Sequence, residues 1–473
     1  MRPIPQRRNG RNSFIVFSTG INGKNSATYR QNKRQGHEMK QHERTFLRVF
    51  GNDMRLMSYR IIFASFTGLV CGATTLTVFG LGMFVGPLRA EFGWSVTQIT
   101  LANTIVSFSC VLSSIFQGAL IDRFGSRRVV LVSILLMDLG FSAMYFLPKN
   151  LMIFYFAWFF IPLLGAGTWS GAYAKVITSW FDRNLGLALG IASLGAGLGS
   201  AIIPALTHVL LDTFGWRLAY VWIGALSVII ALPAVYLNLI DKPSDCGFVG
   251  GLTVTRLAGP AERYTWGAAL RSRSFWSLSF SFAFLGFYSI GTATHLVPML
   301  TLAGVTNKFG AICQTVMGIG IMLGRIVAGY CLDRLSTSVV TAGSLITPIL
   351  GLVGFAYFGA QPGWMYLYAF LTGAGIGAEF DLLGFYVRRQ FGVYSYGKIY
   401  CSIFGFFQFG AGIGVVGFAV GATTWGSYAP VLYLTCGLLA VAAAILCSLD
   451  RPAVLLPEEA GPAGNRHDEQ PSI

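Results

Sequence analysis

Twelve stretches of this chain are each long and apolar enough to cross a lipid bilayer as a helix, and nothing else in the sequence constrains the fold so tightly. They lie at 60–88, 97–121, 129–147, 150–180, 184–211, 216–240, 273–302, 308–331, 337–358, 363–387, 399–423 and 428–449. A spanning helix needs about 20 apolar residues, and segments much longer than this must tilt or extend beyond the hydrocarbon. Only 11% of the residues are charged and the mean hydropathy is +0.61. Soluble domains carry about 25% charged residues, so a soluble fold around one oily core is excluded. The pattern predicts an all-α, polytopic membrane protein with twelve transmembrane helices.

The formal charge of +15 suggests a nucleic-acid partner until it is located. Residues 1–60 hold 13 Lys and Arg against 3 Asp and Glu, and the remaining cations are spread over short loops. No nucleic-acid surface follows. The tail at 1–58 is polar and basic, with too few large apolar residues for a core, and is expected to be disordered. It lacks the pattern of a secretory signal; Met39 and Met54 both precede the first apolar run as alternative starts.

Positive loop charge marks the cytoplasmic side. With the N-terminus inside, that side collects 14 Lys and Arg outside the tail, while the opposite side has Arg89, Lys149, Arg217 and Lys308. Both termini are therefore expected in the cytoplasm. Of the 8 cysteines, seven sit in apolar runs with no CxxC and no nearby His cluster, so neither metal nor disulfide chemistry is implied. No cofactor is implied either.

The two halves repeat. Gly118-Ala-Leu-Ile-Asp122-Arg123 recurs as Gly329-Tyr-Cys-Leu-Asp333-Arg334, and Pro87 as Pro298, each at an offset of 211. Gly165-Ala-Gly167 recurs as Gly373-Ala-Gly375 at 208, and Gly195-Ala-Gly197-Leu-Gly199 as Gly410-Ala-Gly412-Ile-Gly414 at 215. The expected organisation is a six-helix bundle at 59–240, a cytoplasmic linker at 241–272, a second six-helix bundle at 273–449, and a cytoplasmic tail at 450–473. Parallel repeats of this kind serve alternating access in transporters. The glycine pairs 186/190, 195/199 and 410/414 have GxxxG spacing and read first as helix packing. Ser95-Val-Thr-Gln98 has capping-box spacing.

Charges at membrane depth are costly enough to point to function. Arg325 stands eight residues before Asp333, so about 12 Å in from the helix end. Its guanidinium stays charged and offers a fork that grips a carboxylate; pairing with Glu379 or Asp381 is the competing role. Those two acids are two residues apart and point to different helix faces. Burial favours the neutral form of a carboxyl group, so either suits a proton carrier. Tyr173 and Lys175 could hydrogen-bond an anion, although Lys175 could equally snorkel. His295, in the outer part of segment 7, is either a packed residue or a substrate or proton contact. Asp138 is expected to be paired and structural.

Gly118-xxx-Asp122-Arg123-Phe-Gly125-Ser-Arg127-Arg128 resembles the motif after helix 2 of the major facilitator superfamily, and its echo at Asp333-Arg334 fits. The helix-5 run Trp180-Phe181-Asp182-Arg183-Asn-Leu-Gly186 through Gly197 resembles the signature of monocarboxylate transporters. Phe92-Gly93-Trp94-Ser95 is similar to a loop in bacterial members of that group and in oxalate/formate antiporters. The resemblance covers about 60–449. It implies gating by Asp122, Arg123, Asp333 and Arg334, and a substrate carboxylate held by Arg325. It also shows departures. Animal members place a Lys in helix 1 and an Asp four residues before the helix-8 Arg; here segment 1 has no Lys and that position is Ile321. Glu379, Asp381 or His295 would have to replace that proton route. The oxalate exchanger has a second cation within helix 11, and residues 401–423 have none, which disfavours a dicarboxylate.

The expected function is a carrier of a small organic anion, a monocarboxylate in first place, working by alternating access with proton symport or anion exchange. Its expected setting is the plasma membrane, here a bacterial inner membrane. The alternatives are another cargo (a drug or sugar) and a transport-inactive sensor or scaffold. No nucleophile–base set argues for an enzyme. The sequence gives no reading of oligomeric state.

Overall fold

The computed structural model describes residues 56–181, 184–242, 264–358, 361 and 363–449. The expected tails at 1–55 and 450–473, and most of the linker, lie outside the described residues. Among the described residues nine helices are long and apolar enough to span a membrane. Gly215 divides one of these in two, and two further helices, one interrupted and one carrying four charged residues, complete the twelve.

In chain order they are α1 (Leu56–Phe92), α2 (Val96–Phe124), α3 (Ser126–Ala143), α4 (Leu151–Leu164 and Ser170–Trp180), α5 (185–214), α6 (216–238), α7 (Arg273–Leu302), α8 (Asn307–Leu332), α9 (Thr337–Phe358), α10 (Trp364–Phe391), α11 (Tyr396–Trp425) and α12 (Ala429–Ser448). The helix starts follow the sequence. Ser95 accepts from the Gln98 N–H at 3.1 Å and its own N–H reaches Gln98 Oε1 at 2.9 Å, closing the predicted capping box on α2. Asn150 caps α4 by accepting the Met152 N–H, and Ser272 caps α7 by accepting the Phe275 N–H. Gly215 takes φ 74°, which an L side chain rarely adopts, and so ends α5 and opens α6.

One expectation is corrected. Residues 150–180, read as a single helix, are broken by a 3-10 turn at Ala166–Thr168. Backbone donors released by a break inside a membrane must find partners in the protein. Here the Gly167 N–H reaches Ser133 Oγ at 3.0 Å, and Thr168 Oγ1 accepts the Ala73 N–H of α1 at 2.9 Å. A π-turn at Thr74–Phe79 sits in α1 beside a second at Ser227–Ala231 that continues α6. Ser227 Oγ donates to the Cys71 carbonyl at 2.8 Å across that join.

Large apolar side chains such as Phe108, Phe156, Val327 and Val416 are exposed around the outside, as a lipid-facing belt requires. Inside the first half, Phe84 stacks on Tyr220 at 3.7 Å, with Phe141 and Trp158 against them. The glycine pairs do pack helices, and they divide the labour. On α5, Gly186 and Gly190 meet the α8 backbone, whereas Gly195 and Gly199 meet α1. On α11, Gly397 meets α2 and Gly410 and Gly414 meet α7. Each of these two helices thus presents one small face to the other half and one to its own.

Candidate functional site

The two halves touch where α2 meets α11 and α5 meets α8, and an aspartate closes each contact. Asp122, at the end of α2, accepts the N–H groups of Gly397 at 3.1 Å and Lys398 at 2.9 Å. Asp333, just after α8, accepts those of Gly186 at 2.8 Å and Leu187 at 2.9 Å. In both cases the donors are the free N–H groups of a helix's first turn, where the helix dipole also favours a negative charge. Gly397 and Lys398 follow Gly186 and Leu187 by 211 residues, so the clasps repeat as the sequence does. Glycine permits the approach: a Cβ on Gly118 would lie 2.7 Å from the Gly397 carbonyl oxygen.

The clasps differ in their cations. Lys175 pairs with Asp122 at 2.8 Å and donates to the Ile121 carbonyl at 3.0 Å. Arg123 and Arg334 are exposed, over the rings of Phe124 and Tyr330.

Deeper in, Arg325 on α8 is 6% exposed. One Nη donates to the Ser193 carbonyl of α5, in the other half, while Nε has no partner among the described residues. The Phe380 ring lies 5.7 Å from its Cζ. Asp381 and Glu379 both act on it electrostatically, but neither forms a direct ion pair with it. Asp381 faces α5, where Ser193 Oγ meets Oδ1 at 3.4 Å and Gly190 leaves room beside Oδ2. Oδ2 has no partner. Glu379 turns towards α7. Ser289 is near enough to influence it, yet neither carboxylate oxygen reaches hydrogen-bond geometry. The site therefore gathers one cation and two acids that are buried, close together and incompletely satisfied.

The other residues singled out in the sequence lie elsewhere. His295 is held at both nitrogens, by Tyr428 Oη at 3.1 Å and the Val415 carbonyl at 3.0 Å, and stacks on Phe418. Tyr173 packs on Gly68 of α1, its hydroxyl buried without a partner. Lys175 belongs to the Asp122 clasp. Asp138, expected to be paired, packs against Gly224 with Oδ1 unpartnered. A groove lined by Phe116, Leu120, Arg123 and Leu163 shares no residue with the Arg325 group.

The sequence profile of the Major Facilitator Superfamily matches residues 66–415, most of the chain. The chain belongs to the major facilitator superfamily. It is similar to the uncharacterized MFS-type transporter YhjX of Escherichia coli, 28% identical over 60% of this chain and 69% of that protein. It is also similar to human monocarboxylate transporter 11, 28% identical over 54% of this chain and 52% of that protein. A shorter match, 31% identical over 27% of this chain, is to the riboflavin transporter RibJ of Trypanosoma brucei brucei, of which it spans 23%. The fold matches the transporter FucP in its outward conformation, with a TM-score of 0.62 at 17% identity, over 82% of this chain and 98% of that one. It also matches the proton:xylose symporter XylE, with a TM-score of 0.63 at 13% identity, over 82% of this chain and 95% of that one. This chain is thus a membrane transporter, not an enzyme.

Sequence reasoning missed part of this transporter's centre. Ser193 lies within the helix-5 signature but was read only through its glycines. Tyr400 on α11 is close enough to act on Arg325 and Asp381, and its hydroxyl meets Ser170 of α4 at 3.3 Å. Its sequence signal is weak, a tyrosine between Lys398 and Ser402 near the start of α11.

Proposed function

We propose that this transporter carries a small organic anion, a monocarboxylate, with Arg325 as the group that binds the carboxylate. The observation that supports this most is a buried guanidinium between the halves with an unmet donor and no ion pair among the described residues. Such a group gains by receiving a carboxylate in bidentate fashion. Resemblance to a monocarboxylate transporter points the same way. Asp381, beside the guanidinium, takes its charge when no anion is bound, and Glu379 carries the coupled proton.

The two clasps form the gate, through Asp122 and Asp333. Lys175 supports Asp122, and Arg123 and Arg334 stand outside both carboxylates. By the distribution of loop charge this gate is cytoplasmic, as are both termini, in the plasma membrane. His295 and Tyr173 are packing residues.

Reconstituted protein tests the reading by radiolabelled uptake of a carboxylate panel, with and without a pH gradient. Wild-type uptake of at least one monocarboxylate is expected to be accelerated by an acid exterior, and Arg325→Ala to lower it more than tenfold. Unchanged uptake in Arg325→Ala protein of normal elution profile would remove Arg325 from the binding role. Uptake that ignores the gradient but requires internal anion would replace symport with exchange.

A further inference from the structure

We infer that the cargo is a carboxylate borne on a flat aromatic body, not a short aliphatic acid; this rests on the Arg325 reading above and narrows it. One ring stands beside the guanidinium and four more connect to it. Phe380 lies beside it and contacts Phe404 at 5.8 Å and Phe407 at 5.2 Å between centroids. Tyr400 stacks along α11 on Phe404 at 6.5 Å. Trp169, from the turn that interrupts α4, meets Phe404 at 6.2 Å.

An aromatic stripe at helical spacing, here 400, 404 and 407, is usually packed core. Two facts set this one apart. The Trp169–Phe404 contact joins the two halves of the molecule, as does the Ser170–Tyr400 hydrogen bond next to it. Surfaces between halves must part in every cycle of alternating access, so Phe404, which packs on Phe380, Tyr400 and Phe407 within its own half, loses Trp169 each time and is left with one open side. The first half, by contrast, keeps its own stack around Tyr220 entirely inside itself. The second fact is composition. Phe380, the ring beside the cation, meets further rings on α11, where the aliphatic residues so abundant in this chain would fill the same space. Rings favour other rings in offset or edge-on contact beyond the area they bury. As the halves part, the aryl group takes the place of Trp169 against Phe404, with its carboxylate on Arg325 and its edge towards Tyr400.

Competition against carboxylate uptake by the full-length protein in liposomes tests this, with benzoate and propionate as the probes. Benzoate is expected to half-inhibit at a concentration about tenfold lower than propionate, the gain of one good ring contact added to apolar burial. In Phe404→Leu, which keeps an apolar side chain but removes the ring, that gap should shrink to less than about threefold, through a larger loss of potency for benzoate than for propionate. Phe380→Leu is the second variant, on the half-buried ring beside Arg325, and should narrow the gap in the same direction. Equal potency of the two acids in wild-type protein, with uptake still lost in Arg325→Ala, would overturn the aromatic assignment and leave the carboxylate carrier standing. So would an equal loss for both acids in both ring variants, since that marks the rings as packing. Failure of Arg325→Ala to affect either acid would overturn both readings.

Discussion

Arg325 carries five N–H donors, and the protein gives it one carbonyl from the facing half and leaves Nε unmet. A buried polar group without its partner costs about 1–3 kcal/mol, so an anion that supplies the missing acceptor is favoured by relief as well as by attraction. Arg325→Lys keeps the charge but loses the fork, and is expected to reduce carboxylate uptake at least tenfold with little change in yield; initial rates in liposomes measure it. Glu379→Gln is expected to abolish acceleration by a pH gradient while leaving counterflow exchange largely intact. Asp381→Asn, which removes the local counter-charge, should instead impair exchange itself. If both substitutions erased the pH response equally, the division of labour between the two acids would fail. These charges were legible because each interrupts an apolar run. The partners of Lys175 and His295 were not: Asp122 and Tyr428 lie 53 and 133 residues away in the chain, and no local pattern announces them. Tyr400, Phe404 and Phe407 stayed hidden for the opposite reason, since rings are ordinary in a membrane helix.

Among the elements, the four helices at the clasps share one construction, in which a carboxylate caps the first turn of a helix from the other half. Their inequality is testable. Asp122 has two backbone donors and Lys175, whereas Asp333 has two backbone donors and no cation paired with it among the described residues. Asp122→Asn is expected to loosen the gate more than Asp333→Asn, read as faster labelling of a cysteine placed behind it; the reverse order would contradict the role given to Lys175. Gly118→Val sets a branched side chain against the Gly397–Lys398 backbone, an overpacking of about 1–3 kcal/mol. It should cut transport sharply and hold that contact apart, and wild-type rates in this variant would show that α2 and α11 need not close. Hydropathy read all twelve helices correctly in number but not the interruption of α4. Gly165-Ala-Gly167 breaks while its repeat Gly373-Ala-Gly375 stays helical. The difference lies in Ser133 and Thr168, which receive or replace the backbone partners at the break.

At the scale of the molecule, the halves meet mainly through the clasp-side ends of α2, α5, α8 and α11, while each keeps its own interior. Hydrogen exchange in nanodiscs should therefore change with substrate at residues 186–193 and 396–401, and stay slow around Trp158 and Tyr220 throughout. Exchange that loosened the first half's aromatic stack would mean the bundle deforms rather than rocks. The repeat was readable because its marks are glycines and aspartates at fixed offsets. What it could not reveal was that Gly186 and Gly397 are themselves a matched pair, each serving the other half's acid.

Both clasp aspartates are received by main-chain N–H groups, which every residue except proline possesses. The receiving helices can change nearly all their side chains without losing the closure, provided the few glycines at the touching points remain. On the gating role proposed for the clasps, the moving parts of this carrier are insulated from the identity of its cargo. A lineage could exchange the rings and the cation of the centre for other chemistry and inherit a working door unchanged.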